Sequence, residues 1–313
     1  MEHAEAAAAS ERGAPWPLGG VLPVFQTPFR QDEEIDPGAL AAEIDWLFGN
    51  GSDGVVMGMV SEVARLSSEE RDTLCMLACR FADSRGPVIA SVGAESSHQA
   101  VRHARHAEAN GAAAVMAIAP VTVAIDVSQL RRYFERLVTA VAIPVVVQDA
   151  GGYIGASLSI DAQAQLYTDF GDRVAFKPEA PPAGPRVTRL LELTGGRAAI
   201  FEGRAGLSLV ESYQRGVVGT MPGADVCWAV CSLWAALSNG DLDRAYEIHA
   251  CLVALASIPT SIDAFVAVEK HLLVKQGVIG SAARREPVGF VLDAETTRQV
   301  DRLLDRLREV VGT

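Results

Sequence analysis

The chain has 313 residues, 49% of them hydrophobic, with a formal net charge of −12 at neutral pH. That is ample material for one large core, and the acidic balance excludes nucleic acid as an expected partner. No basic run marks a membrane surface, and the longest apolar stretch, 111–125, is broken by Pro120 and too short to span a bilayer.

Residues 1–18 are rich in alanine but interrupted by Glu2, Glu5, Glu11 and Arg12. They lack the basic start and unbroken apolar centre of a signal peptide, so they read as a disordered tail on a soluble, cytoplasmic protein. From Val21 onward, short β-rich runs alternate with amphipathic helical stretches eight times. Strands are expected at 21–27, 54–58, 87–92, 113–119, 143–148, 174–177, 199–202 and 217–220. Helices are expected at 37–50, 67–84, 97–110, 128–141 and 160–170. Ser67 and Glu70 have capping-box spacing, and Asn50-Gly51 and Asn110-Gly111 read as helix stops. The strands are near-continuous apolar runs, as expected when both faces of a parallel sheet are buried.

Eight such units predict a closed (β/α)8 TIM barrel over 19–224, within the α/β class. No GxGxxG follows any strand, so a dinucleotide fold has no support. Helical periodicity at 226–239, 242–258, 261–277 and 294–311 predicts a C-terminal helical region over 225–313. In it, Trp228 and Trp234 read as core or subunit contacts. Cys75 with Cys79, and Cys227 with Cys231, are spaced i, i+4 in helical patterns, and Cys251 is a fifth. They fit reduced core positions rather than a disulfide frame or a metal site. His98, His103 and His106 share one helical stretch outside the barrel and are expected at its surface. Neither a metal nor a cofactor is expected.

The chain carries 27 basic residues, and only Lys177, Lys270 and Lys275 are lysines. Lys177 sits in an apolar run, Val174-Ala175-Phe176-Lys177-Pro178-Glu179, that reads as a buried strand ending at proline. A sequence this partial to arginine could have used one here if charge were all it needed. Lysine alone loses its proton readily when desolvated and attacks a carbonyl carbon to form an imine. The other reading is a lysine paired with a neighbouring carboxylate such as Glu179. Residues 177 and 179 lie on the same side of a strand, so Glu179 either shuttles protons to an imine or neutralises the lysine. Other strand ends offer Met59, Val60 and Ser61 after the second strand, Gln148 to Tyr153 after the fifth, and Glu202 to Arg204 after the seventh. Arg204 could hold an anionic substrate group or be an ordinary loop residue.

These residues carry a resemblance to the dihydrodipicolinate synthase / N-acetylneuraminate lyase family of imine-forming aldolases, from about Gly20 to the C-terminus. Gly20-Val21-Leu22-Pro23-Val24-Phe25-Gln26-Thr27-Pro28-Phe29 resembles the family's opening strand. Gly58-Met59-Val60-Ser61-Glu62, then Leu66-Ser67 and Glu69-Glu70-Arg71, is similar to its Gly-Thr-Thr-Gly-Glu segment and the Leu-Ser/Thr-x-x-Glu after it. Phe176-Lys177 resembles the strand of the imine-forming lysine, and Gly216-Val217-Val218-Gly219 the eighth strand. The resemblance implies a homo-oligomer, a tetramer or dimer, acting on a small carbonyl substrate such as a 2-oxo acid.

The departures fall at the site. Met59 and Val60 replace the threonines that grip the 2-oxo acid carboxylate, and Gln148 replaces the proton-relay tyrosine. Glutamine is neither acid nor base near neutral pH. Tyr153 stands near the position of the arginine that holds the second substrate, and Val121-Thr122 replaces an aromatic pair. The expected catalytic residues are therefore Lys177, Gln148 and Glu179. Met59, Val60, Ser61, Tyr153, Glu202 and Arg204 are the expected substrate contacts. The expected activity is a lyase or aldolase that makes or breaks a carbon–carbon bond or eliminates water through an imine on Lys177. Proton transfer falls to Glu179, Asp149 or Tyr153, and the lysine-pathway condensation is not expected. The alternative is a barrel without catalysis that serves as a binding or regulatory protein.

Overall fold

The computed structural model describes residues 18–151, 153–155 and 157–312; apart from residue 18, the expected disordered tail lies outside the described residues. The strands are β1 (Gly20–Val21), β2 (Val55–Met57), β3 (Val88–Ser91), β4 (Ala114–Ala117), β5 (Val145–Asp149), β6 (Val174–Pro178), β7 (Phe201–Glu202) and β8 (Gly219–Thr220). Helices α1 (Pro37–Gly49), α2 (Ser68–Ala82), α3 (Ser97–Ala109), α4 (Val127–Ala140), α5 (Ile160–Phe170), α6 (Ala183–Leu193) and α7 (Leu209–Arg215) alternate with them. Two parallel ladders, β1-β8-β7 and β2 through β6 in order, join into one ring. Val24 bridges Val56 on one side, and Phe176 bridges Ile200 on the other. The fold is a (β/α)8 barrel.

Strand parity explains what faces inward. Val56, Val146 and Ala175 belong to the cluster that fills the barrel. Their neighbours Val55, Met57, Val145, Val147, Val174 and Phe176 pack outward against the helices. Side chains alternate along a strand, so Gln148, two beyond Val146, and Lys177, two beyond Ala175, return to the interior. The β5–β6 register places Gln148 directly opposite Lys177.

The first strand differs from the expected 21–27. It pairs as a ladder only over Gly20–Val21, with one further bridging residue, Val24. Pro23 has no N–H to donate, and beyond Phe25 the polar groups turn elsewhere. The Gln26 N–H goes to Glu43 at 2.7 Å and the Thr27 hydroxyl to the Ser61 carbonyl at 2.5 Å. The predicted capping box is present at α2: Ser67 Oγ accepts from the Glu70 N–H, and Glu70 Oε2 accepts from the Ser67 N–H.

Four helices follow β8: α8 (Cys227–Ser238), α9 (Leu242–Ala256), α10 (Ile262–Lys275) and α11 (Ala294–Val311). Leu233, Ile248, Leu252, Leu272, Val300 and Leu304 bring all four into a second core that also takes in Leu209 of α7. Helix α10 also reaches the turn Met59–Ser61 after β2, so it lies across the C-terminal mouth of the barrel. There Lys270 is fully buried, 2.6 Å from Glu62 Oε1 and 2.7 Å from the Ala283 carbonyl, with its ammonium over the Phe29 ring.

His103, expected at the surface, is buried, and its Nδ1 lies 2.7 Å from the Asp72 carboxylate. It fastens α3 to α2. All five cysteines are free thiols. Among the described residues, no helix is long and apolar enough to cross a membrane.

Candidate active site

Lys177 ends β6 inside the barrel and is 3% exposed. Its Nζ lies 3.4 Å from Glu179 Oε1, and Gln148 Nε2 donates to Glu179 Oε2 at 2.6 Å. Residue 203 has to be glycine for this arrangement, because a Cβ there would collide with Lys177 Cε and meet the Glu179 carboxyl carbon at 3.0 Å. Burial pushes the Glu179 carboxyl above the usual range, while the charge of Lys177 and the amide of Gln148 pull it part of the way back. A carboxylate held this way is a stronger base than one in water, and it stands within reach of the lysine nitrogen.

Lys177, Glu179 and Gln148 wall a cleft of about 440 Å³ that is partly open to solvent, within the size range of small-molecule sites. Met59, Val60 and Tyr153 are also walls, so the structure gathers six of the nine expected residues around one space. Met59 and Val60 bring only apolar side chains. Tyr153 packs edge-on against Phe265, with ring centres 5.9 Å apart, and its hydroxyl bonds with Arg204. Burial and the nearby charge of Glu179 push its phenol upward, and Arg204 opposes the shift.

The remaining three expected residues are not cleft walls. Arg204 meets the cleft only through Tyr153. The Ser61 hydroxyl is committed to the backbone: it donates to the Phe25 carbonyl at 2.5 Å and accepts from the Gly58 N–H at 3.0 Å. Glu202 accepts from the Thr220 hydroxyl at 2.7 Å and from the Arg204 N–H at 3.1 Å, which braces β7 against β8. Asp149, considered for proton transfer, has the opposite parity to Gln148. Arg186 at 2.5 Å and the Leu158 N–H at 3.0 Å hold it on the outer side of β5, away from the cleft.

Sequence reading missed the contribution of α10. Ile262, Phe265 and Glu269 close the cleft, and behind Glu269 lie Gln26, Glu43 and Asp225, all buried. One signal was present: Glu269 and Lys270 stand side by side in the apolar stretch 264–273. Met59 and Ile262 also wall a broader neighbouring groove formed by the loops after β2, β3 and β4.

The model of the dihydrodipicolinate synthetase family matches residues 17–307. An L-2-keto-3-deoxyarabonate dehydratase of Azospirillum brasilense is 27% identical over 274 residues, 86% of this chain and 88% of the relative. A 4-hydroxy-tetrahydrodipicolinate synthase of Bartonella quintana is 28% identical over 285 residues, 90% of this chain and 95% of the relative. Among solved structures, the dihydrodipicolinate synthase of Rhodopseudomonas palustris superposes with a TM-score of 0.85 at 25% identity, over 95% of this chain and all of that one. A prophage protein of the same family from E. coli K12, in complex with pyruvate, gives a TM-score of 0.87 at 24% identity, over 93% of this chain and 99% of that one, and shows the shared fold. With a barrel, a buried lysine at the end of β6 and a family match over nearly its whole length, the chain belongs to the dihydrodipicolinate synthetase family.

Proposed function

We propose that this protein is a lyase that forms a Schiff base between Lys177 and a 2-oxo acid or related carbonyl substrate. The observation that carries this reading is the placement of Lys177, buried at a strand end and facing a cleft, with Glu179 at 3.4 Å. In its neutral form Nζ attacks the carbonyl carbon, and the carbonyl oxygen departs as water. The iminium then withdraws electrons from the neighbouring carbon, so a proton or a carbon substituent is lost more easily there. Glu179 is the group placed to move protons, and Gln148 fixes its orientation. Tyr153, tethered by Arg204, meets the rest of the substrate.

The lysine-pathway condensation of pyruvate with aspartate semialdehyde fits this cleft poorly. Met59 and Val60 offer no hydroxyl to a carboxylate, and hydrogen bonds to a charged group are each worth about 1.5–3 kcal/mol. Gln148 supplies no proton where a relay group would contribute about 10²- to 10⁴-fold. A hydroxylated 2-oxo acid of the kind named for the Azospirillum relative fits better, because its chain needs hydrogen bonds rather than a second cation. We also infer a cytoplasmic homo-oligomer, a dimer or tetramer, to be measured by light scattering.

The test is a turnover panel: pyruvate with aspartate semialdehyde against 2-keto-3-deoxy sugar acids, each with the wild type and Lys177→Ala. Turnover of a sugar acid that disappears in Lys177→Ala is expected. Efficient condensation with aspartate semialdehyde, at about one per second or faster, would overturn the substrate assignment.

A further inference from the structure

Glu269 faces the Lys177 cleft from the other direction. It comes from α10, is 4% exposed, and shares the cleft wall with Lys177, Glu179 and Gly223. Gln26 Nε2 donates to its Oε2 at 2.5 Å, and the Ala224 N–H donates to the same carboxyl. Residue 223 must be small here: a Cβ would lie 2.6 Å from both the carboxyl carbon and Oε1 of Glu269. With Oε2 taken by Gln26, Oε1 is the oxygen beside Gly223, itself a wall of the cleft.

The charged groups around Glu269 are mostly acids. Asp225 follows β8, and a Cβ on residue 223 would touch it too, at 2.9 Å. Glu43 comes from α1 and accepts from the Gln26 N–H. On α10 itself the adjacent Lys270 is turned to Glu62, and across the cleft Lys177 is paired with Glu179. Burial first, then the charge of Asp225, pushes the Glu269 carboxyl well above the carboxylate range, and Glu43 adds to the shift against Gln26 and Ala224. Near neutral pH the cleft therefore holds a proton donor opposite its lysine.

We propose that Glu269 donates a proton to a hydroxyl leaving the substrate, so that this site eliminates water from a hydroxylated 2-oxo acid rather than cleaving its carbon chain. The proposal rests on the imine reading above. With the imine at C2, Glu179 takes a proton from C3 and the electron pair forms the enamine. That pair then makes the C3–C4 double bond as the C4–O bond breaks, and the departing hydroxyl takes the Glu269 proton and leaves as water. Hydrolysis of the conjugated iminium returns Lys177 and releases an unsaturated 2-oxo acid. The proton on Glu179 returns to Glu269 by exchange with solvent, and the net change is the loss of one water. Cleavage of C3–C4 would need a base at that same hydroxyl, and a carboxyl that already holds its proton cannot serve as one.

Two measurements test this. The first identifies the products of the wild type with L-2-keto-3-deoxyarabonate. A dehydrated 2-oxo acid is expected, and pyruvate plus an aldehyde overturns the proposal. The second uses Glu269→Gln, which keeps the shape and loses the transferable proton. Expected are a fall of about 10²- to 10⁴-fold in dehydration kcat and loss of the alkaline limb of the kcat–pH profile. Borohydride trapping of pyruvate on Lys177 should be unchanged, since pyruvate has no hydroxyl to lose. Wild-type turnover in Glu269→Gln with the alkaline limb in place overturns the role of Glu269. So does failure of the wild type to dehydrate L-2-keto-3-deoxyarabonate while trapping persists, which would leave the Lys177 imine standing. Failure of trapping in the wild type would instead strike the imine reading itself.

Discussion

Gln148 and Glu179 meet at 2.6 Å across β5 and β6, both nearly enclosed, with the amide donating to the carboxylate. The contact ties the base to the strand opposite its own lysine. It also gives a glutamine that cannot carry a proton a definite task, since its donor helps keep Glu179 ionised against the cost of burial.

Gln148→Leu removes that donor, so the Glu179 pKa should rise further above the ordinary range. At neutral pH less of it would be ionised, and the acid limb of the kcat/KM–pH profile should move to higher pH. An acid limb that stays in place in Gln148→Leu would show that Glu179 is not the base.

Lys270 is the second buried lysine, and its pairing with Glu62 is structural. Lys270→Met would leave Glu62 buried without its partner, and breaking such a pair costs about 3–5 kcal/mol. Denaturant unfolding should show a loss of that size, with part of it recovered in Lys270→Met combined with Glu62→Leu. A loss below about 1 kcal/mol would mean that Glu62 finds water or another donor.

Stability should also depend on pH through Glu43. Burial pushes its carboxyl from the ordinary 4.5 up to about 8 in the folded chain, against the pull of the Gln26 N–H and the charge of Lys270. Between those values the folded state binds a proton that the unfolded state releases. The contribution is therefore fully present below about 4.5 and is lost as pH rises through about 8, by up to about 1.4 kcal/mol per pH unit. Asp225, raised by burial to about 7, acts in the same direction. Glu70, lowered to about 2 chiefly by Arg285, acts in the opposite direction but only below the ordinary carboxylate range. Unfolding curves from pH 5 to 8 should show falling stability in the wild type and a shallower fall in Glu43→Gln. Equal slopes would contradict the assignment.

Much of the barrel was legible because its strands are short, apolar and regularly spaced, and strand parity alone placed Lys177 and Glu179 on one side. Scarcity of lysine proved a marker of burial rather than of task. It singled out Lys177 and Lys270 alike, and only the partners at 2.6 Å distinguish the structural one. Ser61 and Glu202 stand where the pattern predicts, at strand ends, yet their polar atoms are used within the fold, a matter of side-chain direction that spacing does not encode. Glu269 escaped notice for another reason. Its contact with Gln26 spans 243 residues, and helical periodicity reveals that α10 exists without revealing that it docks over the barrel mouth.

The central claim is the imine on Lys177, and borohydride reduction in the presence of pyruvate and of a 2-keto-3-deoxy sugar acid, followed by peptide mass mapping, tests it most directly. A single reduced adduct on the peptide carrying Lys177 is expected, with none on Lys270, whose ammonium is held by Glu62 and the Ala283 carbonyl. No adduct with any 2-oxo acid, or an adduct on Lys270 with Lys177 unmodified, would contradict it.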